Sequence, residues 1–417
     1  MLQKALIQVS VCQTHRSTAS SKAIMDLAAR QRIARVADAC VVAAQSLHTR
    51  PLAPDVARLS ALFTDERGAR QRNYMRDPAL RRAYLAFWVP HNVARIAGVL
   101  ARARDEGHLP KAPPRVLDLG AGPLSGVLAA WCVWGDLRGA VAVDLSRPAL
   151  ESGLAVLRAV LALERASGLQ EGDVAIVDAA LDGPTSRWAP REAVDLVILA
   201  NVLNEVSDPR ETGPRRRLLD AAAAATNASG RVLVVEPAMR LEARALMALR
   251  DELVGDGVAV LSPCRGARTC PLLQTRGDWC HQDVRWDDRP PSYRSLEKAA
   301  GLPKDQLAVA HLLLASGNDV DSGPRRGLRL IGGLMRDQHG TERRYACGRE
   351  LVTLAGRPRL PPPVALATRG GVVDDDVASV ASAVAPAAVS RPTPRGPPGQ
   401  SDRGGGRRAP PPRGRGR

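Results

Sequence analysis

The chain has 417 residues, enough for two or three domains, and 45% of them are hydrophobic, so a sizeable buried core is available. No run of about 18 apolar residues occurs, which excludes a transmembrane helix, and seven cysteines without a short secreted framework favour a reducing compartment over a disulfide scaffold. The net charge of +16 points to a polyanionic partner; because only five of the 59 basic residues are lysine, a skew that genome composition also produces, charge alone does not identify it.

Residues 1–21 read as a disordered leader: the first 25 residues hold no acid, several Ser and Thr, and one short apolar stretch at 5–11. A transit peptide, or a true start at Met25, are the alternatives. Residues 22–108 read as an N-terminal helical domain, with apolar residues at helical spacing in 28–42 and 83–100, and Pro90 starting a new helix at His91. From Arg115 the pattern alternates. Apolar runs at 116–120, 140–145, 174–177, 195–203 and 230–236 read as buried strands, separated by helices at 124–134, 148–167, 210–226 and 241–254. Such alternation predicts an α/β fold with a doubly wound parallel sheet. Runs at 309–315 and 328–334 read as antiparallel closing strands, and residues 258–300 as an irregular, cysteine-rich insertion into the 109–357 domain. Residues 358–417, rich in Pro, Ala, Gly and Arg, read as a disordered tail.

Asp118-Leu-Gly-Ala-Gly-Pro-Leu-Ser-Gly126 links the first strand to its helix. Glycines there let the backbone approach a ligand where a Cβ would collide. The D-x-G-x-G spacing is looser than the G-x-G-x-x-G of a dinucleotide site, as suits S-adenosylmethionine (SAM), which has no phosphate to cradle. The candidate cofactor-binding residues are Asp118, Gly120 and Gly122 in this loop, Asp144 at the end of the second strand for the ribose hydroxyls, Asp178 at the end of the third for adenine, and Asn201 after the fourth. The sheet is therefore read as a SAM-dependent methyltransferase (Rossmann-like) fold. Asn201, Asn204 and Glu205 are the polar groups nearest the expected methyl position, with capping of the following turn as their simpler role. No Asn/Asp-Pro-Pro-Tyr/Phe follows the fourth strand, and Pro263-Cys264 lies far downstream of it, so no catalytic residue is assigned and enzymatic turnover stays open.

Ser262-Pro-Cys264-Arg-Gly-Ala-Arg-Thr-Cys270-Pro271 and Gly277-Asp-Trp-Cys280-His281 place three cysteines in an irregular segment, and Cys347 supplies a fourth thiol. Four thiolates bind Zn²⁺ or an iron–sulfur cluster; the long, loose spacings suit a cluster better than a zinc finger, and His281 is a possible replacement ligand in a zinc site. Ordinary buried thiols are the plain alternative. Cys12, Cys40 and Cys132 carry no such pattern.

Pro-Cys-x5-Cys-Pro followed by Asp-Trp-Cys-His, placed after a D-x-G-x-G core, resembles the methyltransferase-like family associated with the mitochondrial small ribosomal subunit, in its bacterial form. Asp77-Pro-Ala-Leu-Arg-Arg-Ala-Tyr84-Leu-Ala-Phe-Trp-Val-Pro90 and Val235-Glu236-Pro237 share the likeness, which spans about residues 70–355. The resemblance implies a SAM-binding factor acting in small-subunit assembly or translation, with ribosomal RNA and ribosomal proteins as partners and no membrane. It also implies a [4Fe–4S] cluster on Cys264, Cys270, Cys280 and Cys347. It places a bacterial member in the cytoplasm and a eukaryotic one in mitochondria. An active rRNA methyltransferase with a structural zinc site, and a small-molecule SAM-dependent methyltransferase, are the competing readings. The tail's Arg403-Gly-Gly-Gly-Arg-Arg408 and Arg413-Gly-Arg-Gly-Arg417 are similar to RNA-binding tails; a solubilising tail is the alternative.

Overall fold

Aspartates start two of the N-terminal helices. In α1 (Leu27–Ser46) the Asp26 carboxylate accepts the Ala29 N–H at 2.7 Å, satisfying one of the orphan donors of a helix start. Helix α2 (Ala53–Phe63) follows, and α3 (Pro78–Ala83) is capped by Asp77, which accepts the N–H of Ala79 at 2.8 Å, with Pro78 at the first helical position. Sequence reading expects a new helix after Pro90. Instead a π-helical turn, Tyr84–Trp88, joins α3 to α4 (Val89–Asp105), and Pro90 sits in the first turn of α4, where a missing N–H costs nothing. The computed structural model describes residues 25–384 except 48–49, 65–73, 165–166, 209–210, 267–268, 276, 305, 318–325, 376–377 and 379–381. The leader at 1–21 and the Arg-Gly clusters of the tail lie outside the described residues.

The alternating part runs β1 (Val116–Leu119), α5 (Ser125–Trp134), β2 (Ala140–Asp144), α6 (Arg147–Leu161), β3 (Val174–Asp178), β4 (Val194–Ala200), α7 (Leu203–Val206), α8 (Thr212–Ala224), β5 (Thr226–Pro237) and α9 (Arg240–Gly255). Then come β6 (Val260–Ser262), β7 (Gln282–Arg285), α10 (Pro291–Ala299) and β8 (Gln306–Ala315). The sheet order is β3-β2-β1-β4-β5-β8-β6, with β7 also on β8. The first five strands are parallel, and β8 is antiparallel to β5, β6 and β7. The doubly wound α/β sheet expected from the sequence is thus present, with N-terminal helices.

Both faces of the sheet are covered, so its strands read as continuous apolar runs. In β4, Leu196 and Ile198 join the core shared with α1, α4, α5 and α6, while Val197 and Leu199 join the core under α8 and α9. Helix α5 is buried along nine of its ten residues. The sheet lies on one side of it and α1 and α4 on the other, which explains a helix that is hydrophobic all round.

Two expectations change. Of the two runs read as closing strands, 309–315 lies in β8, but 328–330 joins a second sheet. Besides β5, the partners of β8 are β6 and β7, from the segment expected to be irregular. They are three and four residues long, too short to show a period of two. The second, antiparallel sheet comprises β9 (Leu328–Leu330), β10 (Met335–Arg336), β11 (Glu342–Cys347), β12 (Leu351–Ala355), β13 (Val372–Val373) and β14 (Ser382–Val384), with a short helix α11 (Pro362–Ala365). Residues 360–373, read as part of a structureless tail, therefore belong to folded structure. Leu360, Val364 and Val373 bury themselves with Leu330, Ala346 and Leu354. The Arg344 guanidinium fixes the segment by donating to the carbonyls of Val364 at 2.7 Å and Gly332 at 2.9 Å.

Candidate functional sites

The strand order reverses between β1 and β4, and in open α/β sheets ligands bind outside the carboxyl ends of the strands at such a point. A cavity opens there, with about 740 Å³ of empty space when its open mouth is included. Gly120 and Gly122 after β1, Asp144 to Ser146 after β2, Ala179 after β3 and Ala200 to Val202 after β4 form its floor. Gly120 has φ +71°, and a Cβ on it would stand 2.4 Å from Val202 Cγ2, so the loop requires glycine. Asn201 adopts φ +62°, which asparagine tolerates better than most residues, with its N–H donating to Val235 O at 2.7 Å.

Four of the six candidate cofactor residues, Gly120, Gly122, Asp144 and Asn201, line this cavity. The Asp144 carboxylate accepts the N–H of Gly122 and of Ser146, both at 2.8 Å, leaving lone pairs on each oxygen for ligand hydroxyls. Burial raises its pKa, opposed by those two hydrogen bonds. Asp118 and Asp178 are placed elsewhere. Asp118 lies beneath the loop and accepts the N–H of Gly126 at 2.9 Å and Val127 at 3.1 Å, capping α5. A Cβ on Gly126 would stand 2.6 Å from that carboxylate. Burial pushes Asp118 up to about 7. Asp178 pairs in register with Asp144 at the end of β3 but is exposed and outside the lining. Asn204 is turned to Glu236, donating to its carboxylate at 2.7 Å, and the other Glu236 oxygen accepts the Leu203 N–H at 2.9 Å. Burial pushes Glu236 up to about 7, opposed by the Asn204 bond.

Ser146 and the roof of this cavity are the parts that sequence reading missed. Ser146 is 2% exposed, its Oγ has no partner among the described residues, and it makes no side-chain cap to α6. A buried hydroxyl left unpaired in a cavity marks a place for a ligand's polar group, and with Asp144 it makes the pocket fit a nucleoside. Tyr74, Met75 and Tyr84 close the cavity from the N-terminal segment. Tyr84 accepts a hydrogen bond from Asn92 Nδ2 at 3.0 Å; burial, then the nearby Glu205 and Asp144 charges, raise its pKa. The available signal was the cluster of three aromatics within 84–88, in a chain with 3% aromatics.

A second recess, with about 360 Å³ of empty space, gathers all four candidate ligands, Cys264, Cys270, Cys280 and Cys347. One face of α9 organises it. Met247 Sδ accepts the Cys280 N–H at 3.2 Å, Arg250 bonds the Cys264 thiol, and both Asp251 oxygens accept the Cys270 N–H at 2.9 Å. Arg244, a turn earlier, donates to the carbonyls of Thr275 and Asp278, both at 2.8 Å, and so holds the connecting loop. Burial raises the thiol of Cys264 and pushes Cys270 and Cys347 up to about 12, with neighbouring thiolates adding to the last two. His281, the alternative zinc ligand, lies outside the lining; its ring stacks on Trp279 and contacts Arg369. Among the described residues no three His, Cys, Asp or Glu side chains are gathered as a single metal ion would need them. Cys40 and Cys132 are buried core thiols, and Cys12 lies outside the described residues.

Four sulfur donors on one recess are the chemistry of a thiolate-ligated metal site. A buried cation adds to that fit: Arg329, 4% exposed, donates Nη1 to Cys280 Sγ at 3.0 Å, while its Nη2 has no partner among the described residues. Sequence reading did not single out Arg329, since one arginine among 59 basic residues carries no local signal.

Among solved structures, the chain is similar to precorrin-6y C5,15-methyltransferase from Geobacter metallireducens, at 14% identity over 52% of this chain and 87% of that one, with a TM-score of 0.31. It is similar to ribosomal protein L11 methylase from Lactobacillus delbrueckii, at 16% identity over 41% and 71%, TM-score 0.28. A further likeness is to an S-adenosylmethionine-dependent methyltransferase from Mesorhizobium loti, at 20% identity over 34% and 56%, TM-score 0.24. No curated protein matches the sequence. No described helix is long and apolar enough to cross a membrane. A family model described as mitochondrial small ribosomal subunit Rsm22 matches residues 79–307, more than half of the chain, and the chain belongs to that family.

Proposed function

We propose that this chain is a SAM-binding factor of the small ribosomal subunit, acting in assembly or translation, that carries a [4Fe–4S] cluster on Cys264, Cys270, Cys280 and Cys347. The observation that carries the reading is the meeting of these four thiols on one recess in a member of this family. A cubane cluster spaces its thiolates more widely than one tetrahedral zinc, whose sulfurs lie about 2.3 Å from the metal. The absence of a single-ion grouping among the described residues is therefore compatible with a cluster.

SAM, when bound, supplies a methyl group on a positively charged sulfur. Asp144 accepts the ribose hydroxyls, and Ser146 Oγ meets a further polar group of the nucleoside. Gly120 and Gly122 let the backbone approach the methionine portion. Asn201 stands at the methyl-facing end of β4, and Tyr74, Met75 and Tyr84 exclude water from above. Asp178 contributes negative potential beside Asp144, and Asp118 holds the loop against α5. The proposal assigns binding and leaves turnover out, because Asn201-Val-Leu-Asn204 after β4 presents no base-methylase motif and Asn204 is committed to Glu236. Small-subunit ribosomal RNA and ribosomal proteins are the proposed partners, in the cytoplasm of a bacterium or the mitochondrion of a eukaryote.

Crosslinking in cells followed by RNA sequencing tests the partner: small-subunit rRNA is expected to be enriched, and its absence from the crosslinked pool rejects the ribosomal reading in favour of a small-molecule methyltransferase. Anaerobic purification tests the centre. A brown preparation with iron and acid-labile sulfide is expected; a colourless one with stoichiometric zinc replaces the cluster by a zinc site.

A further inference from the structure

Arg329 is an unusual residue to find at the wall of a recess lined by thiols. It lies on β9, directly opposite Cys347 in the β9–β11 pairing, and its Nη1 donates to Cys280 Sγ at 3.0 Å. It is 4% exposed, and no carboxylate pairs with it among the described residues. Its Nη2 finds no acceptor there either. Burying a charge is costly unless an opposite charge and hydrogen bonds compensate it. The neighbouring cations are otherwise engaged. Arg250, 3% exposed, bonds the Cys264 thiol and pairs with Asp251 at 2.6 Å, and Arg265 on the same recess donates to the Arg326 carbonyl, with Glu106 and Asp375 near it. With neutral thiols the Arg329 guanidinium therefore lacks a compensating anion among the described residues. With four thiolates around an iron–sulfur core it does not, since such a centre carries a net charge of about −2, or −3 after one-electron reduction.

We propose that Arg329 is a charge-compensating positioning residue for an anionic four-thiolate iron–sulfur centre, through Nη1 bonded to the Cys280 sulfur and an Nη2 that has no partner among the described residues. This rests on the cluster reading above and adds to it the residue that sets the centre's electrostatics. A fixed cation attracts the reduced centre more than the oxidised one, so Arg329 raises the reduction potential. In the titration below the electrode would supply one electron to the centre, with no bond broken and all four thiolates retained.

The test uses the full chain, loaded with iron and sulfide under anaerobic conditions, as wild type, Arg329→Gln and Arg329→Lys. In an electrode titration the Gln variant is expected to show at least a tenfold shift of the reduction equilibrium toward the oxidised form, about 59 mV for a one-electron couple. The Lys variant is expected to recover part of that shift. Loss of iron from the Gln variant with retention in the Lys variant supports the same role. Thermal melting provides a second readout: Arg329→Gln should lower the midpoint of the loaded protein but not that of the metal-free protein, where the guanidinium is undercompensated. An unchanged potential in an iron-loaded Gln variant overturns the proposal, as does an equal loss of melting temperature in both forms, which would mark a packing role. A wild-type chain that takes up no iron and sulfide instead removes the cluster reading itself.

Discussion

The nucleoside cavity and the cysteine recess are built by opposite means. The floor of the cavity collects short loops that all leave one edge of one sheet, so each floor residue is delivered by the strand before it. The recess collects segments that no single strand order gathers: the loop after β6, the stretch before β7, β9 and the end of β11. Strand order alone brings Asp144 to Asn201. Cys347 reaches Cys264 only because a second sheet folds back over α9. A site of the first kind inherits its geometry from the fold; a site of the second kind needs its own braces, here Met247, Arg250 and Asp251 on one helix face.

Breaking the braced site should have the largest effect. Cys270→Ser is expected to abolish iron retention and lower the melting temperature of the iron-loaded preparation, because metal binding and local folding are coupled. SAM affinity should stay within about twofold, a change of about 0.4 kcal/mol. Metal analysis and calorimetry on the same preparation check this, and a parallel collapse of SAM binding would erase the contrast between the two sites. Asp144→Ala sharpens the comparison from the other side. Losing a charged acceptor costs about 1.5–3 kcal/mol, so SAM affinity should fall about 10- to 100-fold by isothermal titration while iron content is unchanged. An unaltered dissociation constant would remove Asp144 from the cavity's function.

Gly120→Ala forces a Cβ into Val202 at φ +71°, and should cost about 1–3 kcal/mol in denaturant unfolding. Gly172→Ala, with open space around it and no positive φ, is the matched control and should be close to neutral. Equal effects of the two would show that the loop does not need its glycine.

The smallest effect concerns pH. Burial raises Glu236 from 4.5 to about 7 in the folded chain, and Asp118 from 3.8 to about 7. Each folded carboxyl therefore keeps a proton that the unfolded chain releases. Their contribution is fully present below the unfolded values and is lost as pH rises through about 7. Glu236→Gln removes one of these titrations and should flatten the fall of stability between pH 4.5 and 7, measured by unfolding at stepped pH. Parallel curves for the two proteins would show that Glu236 does not titrate in this window.

Legibility in the sequence follows the same division. The parallel strands, the glycine loop and Asp144 were readable because a doubly wound sheet repeats a local pattern, and the loop chemistry follows each strand directly. Asp118 lies beneath the loop and outside the cavity's lining, a placement the sequence does not decide, because the first acid of D-x-G-x-G looks the same whether it faces the ligand or caps the next helix. The short strands β6 and β7 and most of the second sheet beyond the run at 328–334 were not legible, since strands of two to six residues carry little periodicity and their pairing is set by distant partners. The four cysteines were chosen by motif resemblance, and their meeting is a tertiary fact that spacing alone does not determine. Ser146 and Arg329 were invisible for a related reason: only burial without a partner distinguishes them from dozens of similar residues.

The π turn at Tyr84–Trp88 has a consequence for how the N-terminal rod tolerates change. Each residue of a helix advances about 100° around the axis, so one residue more in a turn re-phases everything downstream. At the start of the turn, Tyr84 looks onto the nucleoside cavity; after it, His91 meets the Tyr293 hydroxyl at 3.1 Å, and that hydroxyl donates to Phe87 O at 2.7 Å. Deleting a single residue here would rewind the rod to regular pitch, and one of the two ends would lose its address. The segment works as a phase adaptor, indifferent to many substitutions on its surface and intolerant of any change in its count.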